Sequence, residues 1–242
     1  MKKKILWYLA FFVVLTVGFW YFLYRDKDFS QSTLPVINPN VQDFAFTNQN
    51  GKPFTEKDVE DKVYVAEYFF TTCKGICPKM NANMRRVFDA FKDEPGFLIL
   101  SHTCMPETDS VPLLKGYEAR MINGKLAMTA DGSYKIDYDT NNHIPPVNPN
   151  WNFVTGDKTA LYKMARQSYL IDNNKSDTAN KIADQFIHTQ FFALVDKQRR
   201  LRGIYDGLKE EEVQKLIDDI KELLKEKVTS KHFMNGFSNN PG

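Results

Sequence analysis

Two cysteines, Cys73 and Cys77, lie in the segment TTCKGICPKM with three residues between them. A thioredoxin-type redox pair has two residues between its cysteines, and a structural zinc site usually adds a second Cys or His pair. Thiolates form disulfides, and they are also soft ligands that favour Cu(I). The spacing therefore leaves two uses open, a reversible disulfide or one soft metal ion held by both sulfurs.

The residues around Cys77 predict the start of a helix. Pro78 suits the first helical position, because its missing N–H would have no intrahelical partner there. Cys77 is then predicted at the N-cap, where free N–H groups and the helix dipole favour a thiolate. Lys74 adds positive charge nearby. We therefore expect two thiols of low pKa on one loop.

A metal ion on this loop would need a further donor, and an imidazole suits copper in either oxidation state. Of the four histidines, His102 ends a predicted strand and fits a structural role equally well. His143 lies in an irregular segment, and His232 lies in the C-terminal tail. His188 precedes TQFFALV, on a loop that leads into a predicted hairpin. Spacing alone does not select among them.

The third cysteine, Cys104, comes just past a predicted strand. At such a position a cysteine is most often a small apolar filler. If Cys104 is exposed beside the loop, it can instead act as a third thiol that traps a mixed disulfide.

A strand, a helix and a second strand position the cysteines. The run KVYVAEYFF at 62–70 is β-branched and aromatic enough for a buried central strand. Apolar residues then recur at helical spacing, at Met80, Met84, Val87, Phe88 and Phe91. A second buried strand, FLILS, follows Gly96. This order predicts a βαβ unit.

The remaining patterns complete a mixed sheet. Asn-Gly-Lys at 50–52 predicts a hairpin, WNFVTGD predicts a strand, and HTQFFALVD with RLRGIYDG predicts a second hairpin. Helices are predicted over 110–121 and 158–169, and a closing helix over the apolar positions from 213 to 224. Residues 122–149 have no sustained periodicity and are interpreted as a long insertion. The predicted fold class is α/β, with helices on both faces of a mixed central sheet.

The N-terminus predicts a membrane anchor. Residues 5–24 form a run of 20 residues without a charge, which matches a hydrocarbon core about 30 Å thick. Aromatic residues lie at both ends of the run, as interfacial anchors do. A cleaved signal peptide is the alternative, but the run is long for an h-region and no small-x-small cleavage site follows it. Residues 25–40 are polar, contain two prolines and are typical of a linker.

Charge bears on both compartment and partners. The three lysines at 2–4 favour a cytoplasmic N-terminus. In a bacterium, the rest of the chain would then lie on the periplasmic side of the inner membrane, in an oxidising compartment. The net charge is only +2, with 32 basic and 30 acidic residues, so nucleic-acid binding has no electrostatic support.

Four segments, in this order, resemble those of the Sco/SenC proteins, a family of membrane-anchored thioredoxin-like copper chaperones. FFTTCKGICPKM is similar to the family's C-x-x-x-C-P loop, and MPETDS is similar to its D-P-E-x-D-T stretch. WNFVTGD is similar to its W-x-F-L-T-G segment, and IHTQFFALVD to the segment that carries its metal-binding histidine. The likeness runs from 41 to 228 and leaves 229–242 as a tail.

The sequence departs from the family pattern at three places. Met105 stands at the first acidic residue of D-P-E-x-D, which puts the role of that carboxylate in doubt. Ile187 precedes the histidine where an aspartate is common. Residues 122–149 are longer than the usual connection.

The resemblance implies a thioredoxin-like fold and one copper ion, Cu(I) or Cu(II), bound by Cys73, Cys77 and His188. It implies a metallochaperone that delivers copper to the CuA centre on subunit II of cytochrome c oxidase, or reduces the cysteines of that centre. Cys73 and Cys77 would be the redox pair, and a thiol reductant would be a second partner.

Other interpretations use the same residues. A metal-independent, membrane-anchored thiol–disulfide oxidoreductase would need Cys73 and Cys77 but no histidine, and a peroxiredoxin-type peroxidase fits TTCKGICP poorly. Zinc could also occupy a Cys₂His site. Among the histidines we expect His188 to be the ligand, because the strand that follows can hold it rigidly. His143 is the rival, on an insertion that could close as a lid at roughly 1–2 kcal/mol per ordered residue.

Overall fold

A computed structural model of the chain describes residues 2–24, 32–141, 144–172 and 189–227. The strands are β1 (Ala45–Asn48), β2 (Pro53–Thr55), β3 (Val63–Phe69), β4 (Phe97–Thr103), β5 (Lys125–Met128), β6 (Tyr134–Asp137), β7 (Trp151–Thr155), β8 (Phe191–Val195) and β9 (Leu201–Asp206). The α-helices are α1 (Lys2–Tyr24), α2 (Cys77–Phe91), α3 (Val111–Asn123), α4 (Lys158–Lys163) and α5 (Glu210–Lys225). The predicted tail, 229–242, lies outside the described residues.

The predicted βαβ unit forms the centre of the domain. β3 pairs with β4 in parallel over seven residues, from Val63 opposite Phe97 to Phe69 opposite Thr103. α2 connects the two strands, and the apolar positions that predicted it are all buried. The sheet has the order β2-β1-β7-β4-β3-β8-β9, with β7 parallel to β4 and β8 antiparallel to β3. The sheet is mixed, as predicted.

Both faces of the sheet are covered, because side chains along a strand alternate between its faces. Val65 and Phe69 of β3 belong to the cluster packed under α2, α3 and α5. Tyr64 and Ala66 belong to the cluster on the other face, where α4 and the π-helical turn Met164–Ser168 pack. The predicted fold class, α/β with helices on both faces, is confirmed.

The central strands divide the domain into two ends, and both cysteines of the loop lie at one of them. At the cysteine end, β3 and β4 finish at Phe69 and Thr103, and the loop with both cysteines follows. The opposite end is called the base. It contains the first residues of β3 and β4 and the turn that connects β8 to β9. α2 and α3 both run from the cysteine end toward the base, because each follows a strand or loop that finishes at the cysteine end.

The segment predicted as an unpatterned insertion contains a hairpin that the sequence analysis did not predict. β5 and β6 pair antiparallel, and Gly132 adopts φ +82° in the turn between them. The guanidinium of Arg86, on α2, lies 4.4 Å from the centroid of the Tyr134 ring. The strands are short and about half exposed, so their hydrophobic alternation is weak. Contact with α2 therefore helps to stabilise a hairpin whose sequence shows no clear strand pattern.

α1 contains one stretch, Lys4–Phe22, that is long and apolar enough to cross a membrane by length and composition. Its side chains are exposed rather than packed in a core. A signal sequence near the N-terminus would pass the same test.

Glu67 is a carboxyl group buried at the centre of the sheet. It is fully buried on β3, and Ser101 on the paired strand donates a hydrogen bond of 2.6 Å to its Oε1. Trp151 Nε1 in turn donates to Ser101 Oγ at 2.8 Å. Burial raises the pKa of Glu67 to about 8, despite the hydrogen bond from Ser101. Glu67 is therefore protonated and neutral at pH 7.

We predict that Glu67→Gln changes how the stability of the domain depends on pH. The folded pKa of Glu67 lies above its unfolded value, so the folded state binds the extra proton and stability falls as pH rises from about 4.5 to about 8. The variant lacks this loss, and its free energy of unfolding should exceed the parent's at pH 9 by on the order of a few kcal/mol. Chemical denaturation at pH 5 and pH 9 measures this difference.

Glu60→Gln is the matched control, because Glu60 is exposed. It should follow the parent at both pH values. If the two variants showed the same pH dependence, Glu67 would not be a buried neutral acid.

Candidate metal centre

The cysteine loop begins where β3 ends. Cys73 N–H donates to the Phe70 carbonyl at 3.2 Å, which turns the chain back over the end of the strand. The N–H groups of Lys79 and Met80 both donate to the Ile76 carbonyl at 3.1 Å. Ile76 is thus the N-cap and Cys77 the first residue of α2. The predicted N-cap at Cys77 was wrong by one residue, although the helix does start at the second cysteine.

The two thiols of this loop lie together in a partly closed environment. All three cysteines are free, Cys73 is half-buried, and Cys77 is only 5% exposed. Burial raises the pKa of the Cys77 thiol, and the hydrogen bond with Cys73 raises it further. The prediction of a low pKa at Cys77 is therefore wrong, because desolvation outweighs the helix terminus. Loading a metal here would release the Cys77 proton, since thiolate is the ligand form.

An open cleft of about 420 Å³ lies against the loop. Its lining includes Cys73, Cys77, Cys104, Tyr68, Thr189 and Gln190. Two sulfurs from one loop suit a soft ion such as Cu(I). The opening leaves space for a ligand of a second protein to approach the same ion. The donor set of the cleft fits copper.

Within the described residues, no group of three His, Cys, Asp or Glu side chains is arranged to hold a metal. Cys73 and Cys77 are the two soft donors that the described residues place together. Positions 143, 187, 188 and 232 lie outside the described residues. The prediction that His188 completes the site stays a prediction.

The two residues after position 188 are placed beside the cysteines. Thr189 and Gln190 line the cleft, and Thr189 is 5% exposed. Gln190 Nε2 donates to an Asp206 carboxylate oxygen at 2.8 Å, and Gly207 N–H donates to the Gln190 carbonyl at 2.8 Å. The chain entering β8 is thus fixed to β9 at the cysteine end.

His102 is a structural residue. Its ring stacks on Tyr68 at 4.9 Å between centroids and lies edge-on to Phe46 at 5.6 Å. Nδ1 is 3.3 Å from the Glu67 carbonyl oxygen. Burial lowers the pKa of His102 to about 3, so the ring is neutral. It is absent from the lining of the cleft.

Cys104 forms part of the cleft wall but is not exposed. It is 3% exposed, its thiol donates to the Phe69 carbonyl at 3.1 Å, and burial raises its pKa. Tyr162 OH donates to the Cys104 carbonyl at 2.9 Å. The exposure required for a third reactive thiol is not met, and the apolar-filler interpretation is favoured.

Asp109 is the residue that the sequence analysis missed. It is 1% exposed, and its carboxylate accepts hydrogen bonds from Thr71 Oγ1 at 2.6 Å and Thr71 N–H at 3.2 Å. Thr103 Oγ1 donates to the same carboxylate. One buried carboxylate thus ties the start of the cysteine loop to the end of β4. An acidic residue shortly after a buried strand, in MPETDS, was the available signal.

The same contacts explain how the chain accommodates Met105 at the position of the first acidic residue of D-P-E-x-D. Its N–H donates to Thr103 Oγ1 at 2.9 Å, and its side chain is half-buried. Thr103 therefore joins the turn at Met105 to the Asp109 carboxylate. In this chain, Asp109 supports the cysteine loop without a carboxylate at position 105.

A family model and a curated relative both match most of this chain and agree with each other. The model of the SCO1/SenC family matches residues 36–133 and 139–225. The SCO1 protein homolog of Bacillus subtilis (strain 168) is 27% identical over 209 residues, which cover 86% of this chain and 94% of the relative.

Solved structures share the fold. BsSco, described as having a disulfide switch and as a member of the Sco family of cytochrome c oxidase assembly proteins, matches with a TM-score of 0.60 at 26% identity. That match covers 81% of this chain and 100% of BsSco. Bradyrhizobium japonicum ScoI, solved with copper bound, matches with a TM-score of 0.51 at 20% identity, over 76% of this chain and 99% of ScoI. The predicted thioredoxin-like fold of the Sco proteins is confirmed.

We predict that Asp109→Asn loosens the cysteine loop. The neutral amide has one acceptor oxygen, so it leaves one of the donors from Thr71 or Thr103 unsatisfied. The free energy of unfolding should fall by about 1–3 kcal/mol. Hydrogen exchange at the Thr71 amide should also become faster.

Glu107→Gln, on the same turn, is the control. Glu107 is exposed and pairs with Lys158 at 2.8 Å, so its removal should cost less than about 1 kcal/mol. Equal effects of the two substitutions, with unchanged exchange at Thr71, would show that Asp109 does not position the loop.

The three thiols should also differ in reactivity. Alkylation of the reduced, folded protein should modify Cys73 first and Cys77 more slowly, because Cys77 is more buried and its pKa is raised. Cys104 should react only on unfolding, and Cys104→Ser should leave the other two rates unchanged. Mass spectrometry of timed samples measures the order. Labelling of Cys104 as fast as Cys73 would restore it as a candidate third thiol.

Proposed function

This chain belongs to the SCO1/SenC family, and on that basis we propose that it carries one copper ion on Cys73, Cys77 and His188. The observation that carries the proposal is that the two thiols at and before the start of α2 line the same cleft as Thr189 and Gln190. Two thiolates and one imidazole form a soft, three-coordinate set suited to Cu(I), and the imidazole also suits Cu(II). Each chain carries one ion.

The described part of the chain favours His188 over the other histidines. Thr189, its immediate neighbour in sequence, lines the cleft. Ile144, the neighbour of His143, accepts a hydrogen bond of 2.6 Å at its carbonyl from Asn123. Asn123 ends α3, which runs away from the cysteine end. Position 188 therefore adjoins in sequence a residue of the cleft, whereas position 143 adjoins a residue bonded to the far end of α3.

The ion is cargo rather than a resident catalyst. The cleft is open, so a thiolate of an acceptor can enter the coordination sphere before Cys73 or Cys77 leaves it. The proposed acceptor is the CuA centre on subunit II of cytochrome c oxidase. The likeness to BsSco, a member of a family of cytochrome c oxidase assembly proteins, supports this assignment.

Thiol–disulfide exchange is the second candidate function, and the contact between the Cys73 and Cys77 thiols favours it. The Cys73 thiolate attacks a disulfide of the target and releases one target thiol. Cys77 then attacks the sulfur of Cys73, which releases the second thiol and leaves a Cys73–Cys77 disulfide. Two electrons and two protons pass to the target, and a thiol reductant must restore the pair.

The proposed organisation follows from the same premise. Residues 5–24 anchor the protein as a single pass in the bacterial inner membrane, with residues 1–4 in the cytoplasm. Residues 25–40 are the linker, and the Sco/SenC domain, 41–228, lies on the periplasmic side. Residues 229–242 follow it as a tail.

We predict that His188→Ala abolishes the thiolate-to-Cu(II) charge-transfer bands of the reduced, copper-loaded protein. Loss of the imidazole removes one of three donors but leaves the Cys73–Cys77 disulfide able to form. His143→Ala, the matched control, should retain the bands. Anaerobic copper titration with absorption spectroscopy measures both, and the oxidised protein should bind little copper, since thiolate is the ligand form.

The reverse result, with bands lost in His143→Ala and kept in His188→Ala, would assign the ligand to the 122–149 segment. Equal copper affinity of the oxidised and reduced parent would refute coordination by the cysteines. Bands retained in both variants would show that copper binds the cysteines without either histidine, and absence of the bands in the reduced parent would leave metal-independent thiol–disulfide exchange as the better interpretation.

A further inference from the structure

The linker meets the domain at the base, opposite the cysteines. We propose that the cysteine cleft therefore faces away from the membrane, at a distance from it that the linker and the length of the sheet set. The inference rests on the anchoring by α1 in the proposed function, and it adds the direction and reach of the site.

The first described residues of the linker are bound to α5. Ser32 Oγ and Thr33 N–H donate to Glu222 Oε1 at 2.8 and 2.6 Å. Arg202, near the start of β9, donates to the Leu34 carbonyl at 2.7 Å. The linker is thus fixed to the domain from its first described residues.

The next residues continue along the same end. Ile37 N–H donates to the Leu201 carbonyl at 2.8 Å, and Val41 N–H donates to the Arg199 carbonyl at 2.9 Å. Both acceptors belong to the turn from β8 to β9 or the start of β9. Residues 32–41 are therefore anchored to one end of the sheet.

Strand register identifies that end as the base. Val195, at the end of β8, pairs with Tyr64 near the start of β3, whereas the cysteine loop follows Phe69 at the other end. Lys197, in the turn after β8, donates to the Leu224 carbonyl at 2.7 Å, so α5 also ends there. The length of β3, seven residues, separates the two ends by about 20 Å.

Chain length sets the reach. Seven residues, 25–31, connect α1 to Ser32, and they span at most about 25 Å when extended. Adding the strand length gives the cleft a maximum distance of about 45 Å from the end of α1. A receiving site buried in the bilayer lies on the wrong side of the domain for this geometry. A site on a soluble domain of a membrane-bound partner lies on the right side.

The base itself carries mixed charge. The surface cleft at the starts of β3 and β4 is lined by four lysines and three carboxylates, with Lys62 and Asp93 among them. Such a surface has little net attraction for anionic lipid. The linker contacts, rather than adhesion of the base, therefore orient the domain.

The test measures distances from single labels to the lipid headgroups, in the full-length chain reconstituted in lipid nanodiscs. Spin labels are placed at Ile76→Cys and Leu113→Cys for the cysteine end, and at Lys225→Cys and Lys57→Cys for the base. The native cysteines are replaced by serine. Dipolar distances to spin-labelled headgroups should be about 20 Å longer for the first pair than for the second. A genetically encoded, non-cysteine label at the same positions repeats the comparison with native thiols intact.

Equal distances for the two pairs, or shorter distances at Ile76 and Leu113, would overturn the inference and leave copper binding untouched. If all four labels lay far from the headgroups, the anchor itself would fail, and this inference would fail with it. The label distances themselves separate these two cases, and copper titration of the unlabelled full-length chain tests the proposed copper site independently of both, because it reports on the thiols and not on the anchor.

Discussion

The parallel pairing of β3 with β4 is the constraint on which the rest of the structure depends. Because the two strands run in the same direction, the chain between them must leave the sheet, cross it as α2 and return. The loop before α2 and the loop after β4 therefore meet at one end of the sheet. Cys73, Cys77, Cys104 and Asp109 are brought together by that single topological requirement.

Within this frame, desolvation and the helix start act in opposite directions on the Cys77 thiol. A helix start favours a thiolate at Cys77, but its burial favours the neutral thiol and prevails. The reduced site therefore holds protons that a metal or a disulfide must displace. In the proposed function, copper binding and disulfide formation draw on the same two sulfurs, so each excludes the other. This shared dependence makes the redox state of the loop a natural control on copper loading.

Polar side chains at three levels of the domain hold its parts in position. Asp109 is buried and fully engaged by threonine donors, so it fixes the loop where water cannot compete. Glu67, deeper in the sheet, is neutral and serves packing and hydrogen bonding in the centre of the domain. At the base, Glu222 and Arg202 hold the linker. In the proposed function, the two ends of the domain have separate tasks, ligand exchange at one and attachment at the other.

The sequence by itself determined the βαβ unit, the helix after the cysteines and the family, because periodicity and short motifs are local properties of the chain. It also located the loop of Cys73 and Cys77, but not the state of its thiols. Only tertiary packing decided that Cys77 is desolvated, that His102 stacks on Tyr68 and that Asp109 accepts hydrogen bonds from Thr71. The half-exposed β5–β6 hairpin was not predicted either, because its short strands have little hydrophobic alternation. Burial and contacts between distant residues arise from how elements pack, and no local pattern records them.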